Sequence, residues 1–279
     1  MSHLKLALNA STLFPFHLDA MAQIRVASEA GYEGIELWVK DIEAYLENGG
    51  SIKELKAFVD ECGISVVNAI TFFKWSDEDE EVRRDGLRQA EREMTMLAEL
   101  GCQAVAAPPS GNVENVSLTA MASHFSELTR MARKIGIEPY LEFWGRAKRL
   151  STLSEALFVA MESGFPDIKI LIDPFHMYTG GSSLEGLSYL NGKHIGIVHV
   201  NDYPTAPPRA VISDADRVFP GEGVLPTEKL TAYLGQSGYS GYLSLELFIE
   251  SYGNQTPLEV AEKGLETIKK AYQLERLNV

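Results

Sequence analysis

The sequence predicts a single (β/α)8 TIM barrel over residues 1–279. Three observations predict it. Short apolar runs alternate eight times with amphipathic stretches at helical spacing, and no linker divides the chain. Four of the runs carry a side chain able to hold a metal: YLEF carries Glu142, ILID Asp173, GIVHV His199 and LSLELF Glu246. Asp173 lies 31 positions after Glu142 and 26 before His199, close to the roughly 30 residues of one strand-helix unit. At 279 residues the chain suits one such barrel of about 250 residues with short extensions. A doubly wound open sheet is the main alternative, weakened because no strand is followed by a GxGxxG turn.

In order, Leu4 to Leu8 reads as the first strand, ending at Asn9, and Leu18 to Ala30 as its helix, stopped by Gly31. Gly34 to Trp38 is the second strand. A Gly-Gly break follows, and Ser51 with Glu54 forms a capping box that starts a helix ending at Gly63. Ile64 to Ala69 is the third strand, leading into the aromatic loop ITFFKW. The carboxylates from Asp77 to Glu81 precede a long helix to Leu100, where negative charge complements a helix N-terminus. Cys102 to Ala107 and Ile137 to Phe143 are strands four and five, separated by a helix from Ser117 to Lys134. Thr152 with Glu155 caps the next helix, and Ile168 to Asp173 is strand six. After a glycine turn, Ser182 with Glu185 opens a shorter helix, and Ile195 to Val200 is strand seven. Residues 201–226, rich in Pro, Asp and Gly, form the longest irregular segment, and loops of that length are commonly functional lids. A helix from Thr227 to Gln236, strand eight from Tyr242 to Leu247, and a helix capped by Thr256, Pro257 and Glu259 complete the chain.

Composition narrows the function. With 45% hydrophobic and 23% charged residues the chain is an ordinary globular one. Its formal charge of -14 works against binding a phosphate backbone, so a small molecule is the expected partner and nucleic acid is not. Cys62 and Cys102 stand alone without zinc spacing and read as small buried hydrophobes in a reducing compartment. No signal peptide and no stretch of 18 apolar residues is present, so a cytoplasmic protein without a membrane partner is expected. A homo-oligomer is left open.

Strand ends converge at one mouth of a barrel, so Glu142, Asp173, His199 and Glu246 are expected to face a common point. Three carboxylates gathered there repel one another, and a divalent cation resolves this. Three oxygen donors and one imidazole suit Mn²⁺, Zn²⁺, Co²⁺ or Mg²⁺. Singly, each carboxylate reads equally as a cap or an ion-pair partner, and His199, among Ile and Val, as a satisfied core residue. His3, His17, His124 and His194 are not at strand ends, and His176 suits either a substrate hydroxyl or a loop cap. A metal chelating a ketone and a neighbouring hydroxyl acidifies the C–H between them, with Glu142 and Glu246, three strands apart, as the acid/base pair. Asn9, Glu36, Trp38, Asn68 and Trp144 at strand ends, with Phe72, Phe73, Trp75 and Phe248 nearby, suit a polyhydroxylated ring, whose faces are apolar and whose hydroxyls need partners. For Phe72 and Phe73, core and pocket stay open alike.

The segments NAITFF from Asn68, LEFWG from Leu141, DPFHMYTGGS from Asp173, VHVND from Val198, DADRVFPGEG from Asp214 and SLELF from Ser244 span nearly the whole chain. With them the sequence resembles the sugar phosphate isomerase/epimerase superfamily of xylose-isomerase-like barrels, most of all its inosose isomerases of inositol catabolism. The resemblance implies that Glu142, Asp173, His199 and Glu246 hold one divalent metal, that Glu142 and Glu246 also exchange protons, and that His176 and Arg217 contact substrate oxygens. Arg217 has its own case as a fork of donors in the lid, set against an ion pair with Asp214 or Asp216. Gly145 stands where ketohexose epimerases and hydroxypyruvate isomerases usually carry Asn, a departure that matches the inosose isomerase pattern. The expected activity is isomerisation of 2-keto-myo-inositol. Its rivals are a ketose epimerase or inosose dehydratase, an endonuclease of the same barrel, disfavoured by charge and scarce strand-end histidines, and a non-catalytic polyol-binding protein.

Overall fold

The computed structural model describes residues 4–274, so His3 and the chain's last five residues lie outside the described part. Eight parallel strands close into a barrel in sequence order, the ring being completed by pairing of the first with the last. They are β1 (Lys5–Asn9), β2 (Gly34–Trp38), β3 (Ser65–Ile70), β4 (Ala104–Ala107), β5 (Glu138–Glu142), β6 (Lys169–Ile172), β7 (Ile195–Val200) and β8 (Tyr242–Leu245). The outer helices are α1 (Ala20–Glu29), α2 (Val39–Glu47), α3 (Ile52–Cys62), α4 (Glu80–Leu100), α5 (Leu118–Ile135), α6 (Leu153–Glu162), α7 (Pro174–Gly180), α8 (Thr227–Ser237) and α9 (Pro257–Ala271).

The caps show why the helices begin where they do. Asp79, the middle of the acidic run, accepts from the backbone N–H groups of Glu81 and Val82 and so starts α4. Ser117, Thr152 and Thr256 cap α5, α6 and α9 in the same way, and α9 has the full reciprocal box with Glu259.

Two helices depart from the sequence reading. Directly after β2 runs α2, whose N-cap Trp38 makes no side-chain cap bond; its signal is the buried pair Val39 and Ile42 one turn apart. Where a glycine turn was expected after β6, Asp173 caps α7 and Pro174 occupies its first turn. The next segment is a 3-10 helix over Leu184–Tyr189 capped by Ser183 rather than Ser182. Ser182 Oγ instead accepts from the Leu153 N–H at 2.9 Å, tying this turn to α6.

Inside the barrel, Ile70, Ala106, Leu171 and Ile197 form a small apolar plug with Val67, Tyr140 and Tyr242, separate from the main core between strands and helices. Side chains two apart on a strand share a face. Tyr140, Leu171, Ile197 and Tyr242 therefore predict where Glu142, Asp173, His199 and Ser244 point: inward, one step nearer the mouth. Gly196 makes room for this plug, since a Cβ there would meet the Tyr140 ring at 2.5 Å.

Residues 201–226 are irregular but tied down. Asp202 and Val218 pair as an antiparallel bridge, and the Asp202 carboxylate accepts the backbone N–H groups of Tyr203, Gly221, Gly223 and Leu225. Across the mouth, the Arg146 guanidinium donates to the carbonyls of Arg209, Ala210 and Ile212.

Candidate metal centre

Asp173, His199 and Glu246 come together at the mouth of the barrel, each buried, with one ligand atom apiece lying within 4.8 Å of the others. Their placement follows from local structure. Asp173 Oδ1 is engaged by the N–H of Phe175 at 2.8 Å, as α7 begins, and by Asn201 Nδ2 at 3.0 Å. Its second oxygen is thereby turned toward the mouth, 3.8 Å from His199 Nδ1. His199 Nδ1 also lies 3.0 Å from Glu246 Oε2, yet without the alignment of a hydrogen bond, so this buried ring nitrogen has no hydrogen-bond partner.

An orphaned imidazole nitrogen facing two carboxylate oxygens is the donor set of a divalent cation. These residues fit the group that the sequence implied. The opposite nitrogen, Nε2, lies 3.2 Å from Glu36, in the manner of the carboxylate that commonly supports a metal-bound imidazole. Burial disfavours the His199 imidazolium, but Glu246 and Glu36 on either side outweigh it and hold the ring's proton well above the usual histidine range.

Arg217 reaches the site from the irregular segment 201–226. It is 1% exposed, and Nη1 donates to Asp173 Oδ2 at 2.9 Å and to Glu246 Oε2 at 2.6 Å, while Nη2 pairs with Asp214. The ion pair with Asp214 is thus present alongside two bonds into the centre; Asp216 is engaged instead by Ser213. Burial alone pushes the Asp173 carboxyl up, but Arg217, His176 and His199 more than offset it and hold it well below the carboxylate range. At Glu142 burial wins instead, although His199 and a hydrogen bond from Trp144 act against it. Burial, with Glu246 and Asp173 adding like charge, pushes it up to about 8.

Above these groups opens a cavity of about 560 Å³. Glu142, Glu246, His176, Arg217, Trp38 and Trp144 line it, together with Phe72 and Phe248. Trp38 is the hub of the aromatic wall, its ring centroid 5.2 Å from that of Phe72 and 6.1 Å from that of Phe248, with Phe72 6.1 Å from Trp144. Phe72 is therefore pocket, and Phe73, fully buried, is core.

Three expected residues sit differently. Glu142 lines the cavity but is not part of the close Asp173, His199, Glu246 group. Glu36 and Asn68, read from sequence as substrate contacts, are fully buried beneath the centre and are not among the cavity-lining residues. Asn68 Nδ2 donates to Glu36 Oε2 at 2.6 Å, so both face each other rather than a ligand. Sequence reasoning passed over Ser244, Asn201, Arg146 and Phe14. The first two had a signal: Ser244 is two residues before Glu246 and Asn201 two after His199, on the same strand faces. Arg146 lines the cavity from the loop after β5, where no periodicity marks it, and Phe14, in a short 3-10 helix after β1, packs edge-on against Trp38 and Phe248.

Residues 24–271 match the family described as Xylose isomerase-like TIM barrel. The inosose isomerase of Bacillus velezensis is 26% identical over 272 residues, 95% of each chain. The 3-dehydro-D-guloside 4-epimerase of Escherichia coli K12 is 27% identical over 260 residues, 87% of this chain and 92% of that one. In fold, the chain is similar to the crystal structure of the IOLI protein with a binding zinc atom, at a TM-score of 0.89 and 23% identity, covering 97% of this chain and 98% of that one. With the match spanning most of the sequence and the closed eight-stranded barrel in place, the chain belongs to the xylose isomerase-like TIM barrel family.

Proposed function

We propose that the protein is a divalent-metal-dependent isomerase of cyclic polyol ketones, acting on 2-keto-myo-inositol in inositol catabolism in the cytoplasm. The observation that carries this reading is the orphaned His199 Nδ1 facing Asp173 and Glu246 at the foot of an aromatic-walled cavity. Similarity to an inosose isomerase over 95% of the chain supports the substrate. Among the described residues no helix is long and apolar enough to cross a membrane, which is compatible with it.

Asp173, His199 and Glu246 would hold the metal, with Glu142 at the rim of the same centre. Zinc is our first choice among Mn²⁺, Zn²⁺, Co²⁺ and Mg²⁺, because the similar fold carries it. The ion supplies Lewis acidity, stabilising negative charge on neighbouring oxygens as a proton leaves carbon. The chain's own residues do the rest. Trp38, Phe72, Trp144 and Phe248 take the apolar face of the ring, while His176 and Arg217 take its hydroxyls. Of Glu142 and Glu246, one removes the C–H proton of the carbinol beside the ketone, and the other delivers a proton to the former carbonyl carbon. The hydroxyl proton passes between the two oxygens, so the ketone moves one carbon along with no net loss. The two sit differently without a cation: burial pushes Glu142 up to about 8, and Glu246 Oε2 accepts from Arg217 Nη1 at 2.6 Å.

Proton NMR in D₂O with 2-keto-myo-inositol tests this. Metal-dependent deuterium uptake with a new ring ketone is expected from the wild type, and neither from Glu246→Gln in a folded protein. Wild-type rates in that variant would sink the two-base scheme. A second reading, epimerisation, is favoured by similarity to the 3-dehydro-D-guloside 4-epimerase. It shares the first proton removal and would show deuterium uptake with inversion at one carbon and the ketone unmoved.

A further inference from the structure

Beneath the centre, Glu36 collects donors from four other strands of the barrel. Its Oε1 accepts from Asn9 Nδ2 of β1 at 3.3 Å and from Ser244 Oγ of β8; its Oε2 accepts from Asn68 Nδ2 of β3 at 2.6 Å and lies 3.2 Å from His199 Nε2 of β7. Glu36 itself is fully buried, as are all four partners.

The direction of each bond can be fixed. Asn9 Oδ1 is occupied as an acceptor by the Ser11 N–H at 3.0 Å and the Trp38 indole N–H at 2.9 Å, which leaves its Nδ2 to face Glu36. An ionised carboxylate only accepts, so the His199 nitrogen beside it carries the hydrogen. In the neutral ring that places the lone pair on Nδ1, the atom that faces Asp173 and Glu246. Five strands hold this arrangement, and His199 is fully buried, so neither partner has room to turn.

We propose that Glu36 is a positioning residue: it keeps a hydrogen on His199 Nε2 and fixes the ring plane, so that Nδ1 is the nitrogen that gives up its proton to a cation held with Asp173 and Glu246, and it thereby sets the affinity of the centre for a divalent cation. This rests on the reading of Asp173, His199 and Glu246 as a cation site, but not on the identity of the substrate. Partners of this kind are typically worth about 10–100-fold in metal affinity.

The test is calorimetric titration of metal-stripped full-length protein with Zn²⁺, comparing wild type, Glu36→Gln, Glu36→Asp and His199→Ala. Glu36→Gln weakens the acceptor while keeping its shape, and Glu36→Asp keeps the charge but withdraws it from the ring. Roughly 10–100-fold weaker binding is expected in both, with circular dichroism unchanged, and His199→Ala should lose the site. In the zinc-loaded protein the hydrogen is on His199 Nε2 in every variant that binds, so the readout is its hydrogen bond: the Nε2–H signal in the imidazole ¹⁵N–¹H spectrum, assigned through the alanine variant, should be shifted downfield by the Glu36 carboxylate in the wild type and move back upfield in Glu36→Gln. If either variant fails to fold, the other carries the comparison. Wild-type affinity and an unchanged ¹⁵N pattern in a folded Glu36 variant would overturn the proposal alone. No Zn²⁺ binding by the wild type would overturn the cation site and the proposal with it.

Discussion

His199 and His124 show how far identical side chains diverge when their neighbours differ. Both are shielded from water, which by itself disfavours an imidazolium. Around His199 stand Glu36 and Glu246, and the ring keeps its proton. His124, half-buried on α5 with its Nδ1 3.3 Å from Ser76 Oγ, has no carboxylate to offset burial, and the charge of Arg83 adds to it, so it is pushed down to about 4. The folded protein thus binds fewer protons at this position than the unfolded chain between pH 4 and the ordinary histidine value of 6.5. Its contribution to stability is intact above about pH 6.5 and is lost as the pH falls toward 4. Because the ring is only half-buried, solvent screening reduces the effect to on the order of 1 kcal/mol. Urea unfolding of the wild type and His124→Asn at pH 7 and pH 5 should show the wild type losing that much more over the interval. Parallel losses would contradict the assignment.

At the scale of elements, α7 sets the geometry of the centre, because it begins at Asp173 and carries His176 one turn later. It lies tightly against the loop after β5 at Gly145. A Cβ there would stand 2.5 Å from both the Gly180 nitrogen and the His176 carbonyl oxygen, and closer still to Thr179 Oγ1. Backbone atoms cannot step aside as a flexible side chain can, so any larger residue must push the helix. Gly145 is therefore explained by packing as well as by family pattern. Gly145→Ala should cost about 1–3 kcal/mol, read as a fall in Tm, and should also reduce turnover by displacing His176. An unchanged Tm would show that α7 is free to move. The segment 201–226 is held in a comparable way at Asp202, whose carboxylate accepts from the backbone of Gly221, Gly223 and Leu225, a few residues after Arg217.

For the whole molecule, a buried centre that gathers like charge should couple cation binding to stability. A ligand at about 100 times its Kd stabilises the folded state by roughly 2.7 kcal/mol, which for a chain of this size corresponds to on the order of 5–10 °C. Metal-stripped protein should show that rise in Tm on adding Zn²⁺, and His199→Ala should not. A rise of the same size in both would place the bound ion elsewhere. The formal charge of -14 does not oppose this, since it also favours uptake of cations over phosphate-bearing partners.

The barrel, its strand order and most helix caps were legible in the sequence, because strand and helix periodicities and cap chemistry are local properties of the chain. So were Asp173, His199 and Glu246, since a ligand-type residue closing an apolar run reports its own position at a strand end. Depth was not legible. Glu36 and Trp38 are two apart on β2, but one is buried under the centre and the other lines the cavity. Which of them meets a ligand depends on strand stagger and on the side chains of neighbouring strands, not on spacing along β2. The same holds for Arg217, which lies in a long irregular segment of the sequence yet bonds to Asp173 and Glu246. Local sequence determined the elements and the chemical types at their ends, and only tertiary structure decided which of those groups face one another, because that choice is made by contacts between residues up to 237 positions apart.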